Sequence, residues 1–375
     1  MRASRLAFAT LLSIAACVAA CSAHFGGDPP HITDDAAIAT IDATPAVDAP
    51  PGTIDAPPPD AMVPAVDADV AMFTGAYVYF GAENHRQIDA DVTLPALGGR
   101  YKSITLELAL TCPASGGCDW WDRHGHLSIV KDGKELELLR FVTPYRKPMD
   151  VKLDVTDLAP LLGGKTTARV FIDTWVGPGH ANGAGWMVDA TLHYRAGTPP
   201  REVAAVIPLW SPQGVVYGDP SRPPHLDATV AIPAGTTGAR LFSFVTGHGQ
   251  GNADNCAEFC PRKHTLAVGN ATFDRTIWRT DCATTAVPDQ PGTWTLDRAG
   301  WCPGAGVGPW VADLSSAIGN AQSVAIHWTP ASYENSCRPG VASCGGCTLG
   351  TGCDYDGGNH TEPYFQVSAL LVLLR

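Results

Sequence analysis

The segment HLSIVKDGKELELLRFV, residues 126–142, decides the fold. It reads as two strands joined at Asp132-Gly133, a dipeptide suited to the tight turn of a β-hairpin. Upstream, SITLELAL (residues 103–110) alternates with period two, placing Ile104, Leu106, Leu108 and Leu110 on one face and polar or small residues on the other. Similar runs predict strands at 168–175 and 186–194. RAGTPPRE, residues 195–202, then breaks the pattern with prolines and reads as an interdomain linker. A second set of strands is expected at 203–209, 227–232, 239–246, 265–268, 323–328 and 364–374. Long helical periodicity is hard to find.

One internal echo relates the two halves. VTDLAPLLGGKTTARVFI (155–172) and VADLSSAIGNAQSVAI (311–326) share Asp-Leu, a glycine six residues after the Asp, and a following β-branched strand. In each half the echo comes shortly before the last strand. The pattern predicts an all-β protein of two antiparallel jelly-roll sandwiches side by side, over residues 73–196 and 201–375.

Composition agrees. Only 17% of the 375 residues are charged, while 39 Gly and 31 Pro favour a turn-rich β protein over a helical one. The formal charge of -12 is concentrated in residues 22–72, which hold nine Asp and no Lys or Arg. Without residues 1–72 the chain has 23 basic and 28 acidic residues, a net of -5 that argues against a nucleic-acid partner.

Residues 22–72 repeat an Asp-Ala-Pro theme that cannot bury a core and predicts a disordered tether, spanning roughly 40 Å as a flexible coil. Before it, Arg2 and Arg5 precede an apolar run over 6–20, too short and wrongly flanked for a bilayer span. The run ends in VAAC (18–21), which resembles the lipobox of bacterial lipoproteins. Residues 1–21 therefore read as an export signal, with Cys21 as the expected lipidation site and the membrane reached only through that anchor. A soluble secreted protein is the alternative.

Ten cysteines remain after Cys17 and Cys21, an even number that suits disulfides in an exported chain. The close pairs are Cys112 with Cys118, Cys256 with Cys260, and Cys282 with Cys302. Cys337, Cys344, Cys347 and Cys353 form a cluster whose pairing stays open. DYDGGN (354–359) offers carboxylates for calcium without the EF-hand spacing.

No G-x-S-x-G elbow, H-E-x-x-H or Walker loop occurs. What remains is a set of polar and aromatic residues beside cysteines: Trp121, Asp122 and Arg123 in CDWWDR, Asp173 and Trp175 in DTW, Glu258 inside CAEFC, and Arg298 and Trp301 in DRAGWCPG. Disulfide-pinned loops on a β-scaffold are good carriers of binding and catalytic groups.

These motifs, in this order over roughly 73–375, resemble the peptide-N-glycosidase F family. The resemblance implies two eight-stranded jelly rolls and an amidase that cleaves the N-glycan–asparagine bond, giving aspartate and a glycosylamine. It implies Asp122 as principal catalytic carboxylate, Glu258 as its partner, and Asp173 in place of a third carboxylate that the family carries as glutamate. Trp121, Arg123, Trp175, His248, Arg298 and Trp301 are expected to bind substrate, with Arg298 and an indole N–H supporting the oxyanion. No cofactor or metal is implied. The expected partners are N-glycosylated peptides and glycoproteins, acted on by an exported monomer.

Two other readings compete. One is a surface lipoprotein that binds glycopeptides without cleaving them, suggested by the shorter Asp173. The other is a copper-dependent monooxygenase of the same architecture, suggested by His124 and His126 on one strand face.

Overall fold

The computed structural model describes residues 54–55, 65–96, 100–319, 321–338 and 361–375. Its strands begin with β1 (Ile54–Asp55), β2 (Ala68–Phe80), β3 (Asn84–His85), β4 (Gln87–Leu94) and β5 (Tyr101–Thr111). β6 (His124–Lys131), β7 (Lys134–Val142), β8 (Met149–Asp154), β9 (Gly164–Ile172) and β10 (Trp186–Ala196) follow. After a strand-free stretch come β11 (Val203–Val216), β12 (Leu226–Ala231), β13 (Gly238–His248) and β14 (Arg262–Val268). The series ends with β15 (Ala271–Ile277), β16 (Trp310–Asp313), β17 (Ser323–Pro330) and β18 (Tyr364–Leu374).

The hairpin forms where the sequence places it. Asp132 and Gly133 both take positive φ, 50° and 73°, between β6 and β7, which matches the twist of the flanking strands. β5 alternates as read: Ile104, Leu106, Leu108 and Leu110 are fully buried.

Two sheets make the first sandwich, in the orders β3-β2-β10-β5-β8 and β4-β9-β6-β7. Two more make the second, β1-β11-β18-β13-β16 and β12-β17-β14-β15. Setting aside the short edge strands β1 and β3, among the described residues each sandwich has eight strands in one order. The first, eighth, third and sixth form one sheet, and the second, seventh, fourth and fifth the other. That is the jelly roll, built twice. The echo at 155–172 and 311–326 falls on equivalent places, the link from sixth to seventh strand. Each link carries a short helix, Thr156–Leu161 in one half and Ser315–Ile318 in the other.

Part of the expected tether is ordered. β2 begins at Ala68, and Ile54 and Asp55 pair with Val206 and Ala205. The acidic residues are held by β10: Asp67 accepts from the Ala196 amide, and Asp69 from His193 and Arg195. Cys21, residues 354–359, Cys344, Cys347 and Cys353 lie outside the described residues.

From Ala369 to Leu374 β18 reads as a continuous apolar run because both faces are covered. Phe365, Val367, Ala369, Leu371 and Leu373 enter the core of the second sandwich, whereas Leu370 and Val372 join the core of the first. β13 divides likewise, with Leu241 and Val245 inward and Phe242 and Phe244 toward the first sandwich. The sandwiches therefore share a continuous apolar contact.

Candidate active site

The loop from Cys118 to β6 is built around Asp119, whose side chain is fully buried. Its carboxylate accepts from the Trp121 amide (3.0 Å), Arg123 Nε (2.9 Å) and Thr174 Oγ1 (2.7 Å). One side chain thus ties the Trp121-Asp122-Arg123 loop to the Asp173-Thr174-Trp175 loop. The Cys112–Cys118 disulfide pins the same loop from the other end.

Asp122 projects from this loop toward the second sandwich. Its Oδ2 accepts from the Tyr145 phenol at 2.6 Å and lies 3.8 Å from Arg298 Nη2. Glu258 approaches the same guanidinium from the other sandwich, with Oε1 3.2 Å from Arg298 Nε. The Cys256–Cys260 disulfide closes the small ring that carries it. Its backbone carbonyl accepts from the Ala299 amide at 2.8 Å, and Ala299 in turn accepts from Gly247. Gly247 is needed there, since a Cβ at that position would sit 2.4 Å from the Ala257 carbonyl oxygen.

Arg298 is wholly buried, and three of its four other donors are bonded within the protein. Nη1 donates to the Thr293 and Leu296 carbonyls and Nη2 to Thr293 Oγ1. Its charge also lies 4.8 Å from the centre of the Trp301 ring. The Cys282–Cys302 disulfide anchors the end of this segment.

Burial raises the pKa of both carboxyl groups. For Glu258 the negative charge of Asp122 adds to burial, and together they outweigh Arg298 and push it up to about 8. For Asp122 the rise from burial is opposed by Arg298, the Tyr145 hydrogen bond and Arg123. Burial, and then the charge of Asp122, also raises the Tyr145 phenol, which stays protonated and donating. The cluster therefore joins two carboxyl groups that burial shifts towards their protonated forms, with the phenol donor opposing that shift at Asp122.

The structure revises several expectations. Trp121 and Trp175 are each 41% exposed and can meet a ligand, but Arg298 and Trp301 are buried behind the carboxylates. The Trp301 indole N–H donates to the Gly247 carbonyl and is not spare for an oxyanion, and four of the five Arg298 N–H groups are bonded within the protein, the fifth facing Asp122 at 3.8 Å. Arg123 gives its Nε to Asp119 and stays half-buried, and His248 is buried, stacked between Trp301 and Tyr364. Arg298, Trp301 and His248 shape the site from within.

Asp173 stands apart from the pair. Arg86 Nη1 donates to Oδ1 at 3.0 Å, and this guanidinium lies over Trp175, 4.4 Å from the ring centre. Oδ2 is 4.0 Å from His124 Nδ1. His124 and His126 both neighbour Phe171 but reach different carboxylates, since His126 bonds Glu135 at 2.8 Å. Among the described residues no group of three or more His, Cys, Asp or Glu is arranged to hold a metal ion. Sequence reasoning missed Asp119 and Tyr145. Asp119 had a signal in its place beside a disulfide cysteine, whereas nothing marks Tyr145 in VTPYRKP.

A family model described as Peptide-N-glycosidase F, C terminal, matches residues 217–341. Peptide-N(4)-(N-acetyl-β-D-glucosaminyl)asparagine amidase F of Elizabethkingia miricola is 32% identical over 258 residues, which span 64% of this chain and 71% of that protein. The chain belongs to the peptide-N-glycosidase F family. The solved structure of PNGase F, a glycosylasparaginase from Flavobacterium meningosepticum, superposes with a TM-score of 0.69 at 25% identity. That alignment covers 83% of this chain and 96% of the other. PNGF-II, at 17% identity and a TM-score of 0.63 over 82% of this chain and 65% of its own, shares the fold.

Proposed function

We propose that the chain is an amidase that hydrolyses the bond between an N-linked glycan and asparagine, with Asp122 and Glu258 as its catalytic carboxylates. The observation that carries this reading is the meeting of two carboxyl groups from different jelly rolls on one buried guanidinium, Arg298. Ionised Asp122 takes a proton from water as the water oxygen attacks the side-chain carbonyl carbon. Glu258, protonated at neutral pH, donates to the departing glycosylamine nitrogen as the C–N bond breaks. The peptide is left with aspartate, and proton exchange with solvent resets the pair.

Trp121 and Trp175 offer broad apolar faces with a polar edge, suited to sugar rings. Asp173, held by Arg86, is assigned to positioning the glycan and not to proton transfer. The disulfides among the described residues fit an exported protein, and we assign its anchorage to lipid on Cys21. Cys21→Ser should move the protein to the soluble fraction; unchanged fractionation with membranes would refute the anchor.

The test of the reaction is hydrolysis of an N-glycopeptide in ¹⁸O-water. Label is expected in the new aspartate carboxyl of the peptide, with the glycan released intact. Cleavage between the two core sugars would point to a glycoside hydrolase. Saturable glycopeptide binding without release would favour the non-catalytic reading, which the Asp173–Arg86 pairing keeps in view.

A further inference from the structure

The polar end of the contact between the two sandwiches holds a buried ion pair that the proposed chemistry does not use. Arg140 is fully buried and Glu137 almost so. Arg140 Nε and Nη2 donate to the two Glu137 oxygens at 2.8 and 2.7 Å. A regular strand would send residues 137 and 140 to opposite faces. Here the pairing register jumps from Leu127↔Leu139 to Ser128↔Glu137, so Leu138 is a β-bulge and both polar residues reach one face.

That face meets β13 and β18. Arg140 Nη1 donates to Thr246 Oγ1 at 3.2 Å and to the Gln366 carbonyl at 2.5 Å, while Ser368 Oγ donates to Glu137 at 2.5 Å. The pair therefore belongs to the first sandwich and is completed by the second. From Thr246 the contacts run to the active site. His248 Nε2 is 2.8 Å from Thr246 Oγ1, its ring stacks on Trp301 at 5.5 Å, and Trp301 lies under the Arg298 guanidinium.

We propose that Arg140 and Glu137 are positioning residues that fix the two sandwiches at the register where Asp122 of one meets Glu258 and Arg298 of the other. The inference rests on the reading of Asp122 and Glu258 as a working pair. Apolar packing is tolerant of sliding, because hydrophobic attraction has no direction, so the register rests on the polar contacts that cross it, among them the Gly304 amide to the Val142 carbonyl and Arg240 to Asp157. A bidentate ion pair with three further directional bonds is not tolerant, and it stands at the end of the contact nearest the site. Removing one charge would strand the other in the interior. Removing both together leaves the net charge behind His124 and His248 unchanged and is often neutral for stability. The double variant therefore separates geometry from electrostatics.

The test uses the folded chain with carbon-13-labelled glutamate and compares wild type with Glu137→Met/Arg140→Met. Glu258 should titrate near its elevated value in wild type. In the double variant it should titrate at least one pH unit lower, because Asp122 no longer lies opposite it. Turnover of an N-glycopeptide should fall at least tenfold, with KM little changed and thermal midpoint within a few degrees. Should the double variant fail to fold, Arg140→Lys keeps the charge but not the fork, and should show the same shift in smaller degree. Unchanged Glu258 titration and unchanged turnover in either folded variant would overturn the proposal. A wild type that releases no glycan would remove the amidase reading, while the titration would still decide the role of the pair.

Discussion

Removing the Tyr145 hydroxyl gives a sharp test of how the pair divides its work. The phenol donates to Asp122 Oδ2 at 2.6 Å and, after Arg298, most opposes the effect of burial there. A hydrogen bond to a charged group contributes about 1.5–3 kcal/mol. Its loss should raise the Asp122 pKa by ~1–2 units, at ~1.36 kcal/mol per unit. Tyr145→Phe keeps the ring, and the Tyr145 backbone amide still donates to Gln290 at 2.8 Å, so the fold should be retained.

Asp122 must be ionised to accept a proton from water, so the ascending limb of kcat/KM against pH should move up by the same ~1–2 units. The loss of rate should be ~10–100-fold below that limb and should shrink as pH rises. It should not vanish, because the descending limb set by Glu258 near 8 then cuts into the plateau. The assay is initial-rate hydrolysis of one glycopeptide from pH 4 to 10. A uniform loss at every pH would assign the phenol to substrate contact. An unmoved ascending limb would refute Asp122 as the base.

Three further outcomes are expected. Cys256→Ser with Cys260→Ser should lower turnover more than stability, since so short a ring removes at most a few kcal/mol of unfolded-state freedom; full activity would make the loop a structural clasp. Asp173→Glu should leave turnover unchanged or raise it, and a large loss would show that Arg86 requires the shorter carboxylate. His264 is fully buried with neither ring nitrogen bonded, and burial lowers its pKa to about 3. The unfolded chain protonates first, near ~6.5, so stability is full above that pH and falls by up to ~1.4 kcal/mol per unit as pH drops toward 3. His264→Leu should flatten that slope in urea unfolding at pH 7, 6 and 5.

Much of the fold was legible because local chemistry and tertiary environment agree. Asp132-Gly133 takes the positive φ angles that its hairpin needs, and the sequence bounds of the last strand, 364–374, coincide with β18. The strands that escaped notice are those whose environment contradicts their composition. β2 opens with the acidic, alanine-rich pattern of the tether, and only Arg195 and His193 on a distant strand make it a partner. β15 shows mostly polar residues to solvent and so lacks an apolar stripe. At the site, residue type identified the Asp122, Glu258 and Arg298 cluster but not which way each member faces. An arginine in a glycine-rich loop gives no sign that it will be wholly buried. Thr293, Leu296 and Glu258, which satisfy its donors, come together only in the folded chain.

The division of the site between two jelly rolls has a physical consequence for its acid. Burial alone raises Glu258, but part of its elevation comes from Asp122, which belongs to the other sandwich. Arg298 opposes the rise at both carboxyl groups. The contacts to Arg298, 3.8 and 3.2 Å, and the width of the planar guanidinium keep the two carboxyl groups within roughly 9 Å. At an effective dielectric constant of about 20 their repulsion is then at least ~1.8 kcal/mol, more than one pH unit in the titration of Glu258. Neither sandwich alone can supply that increment. The raised Glu258 carboxyl is thus a property of the contact between the sandwiches, to which the buried polar residues there belong as much as the loops that the disulfides pin.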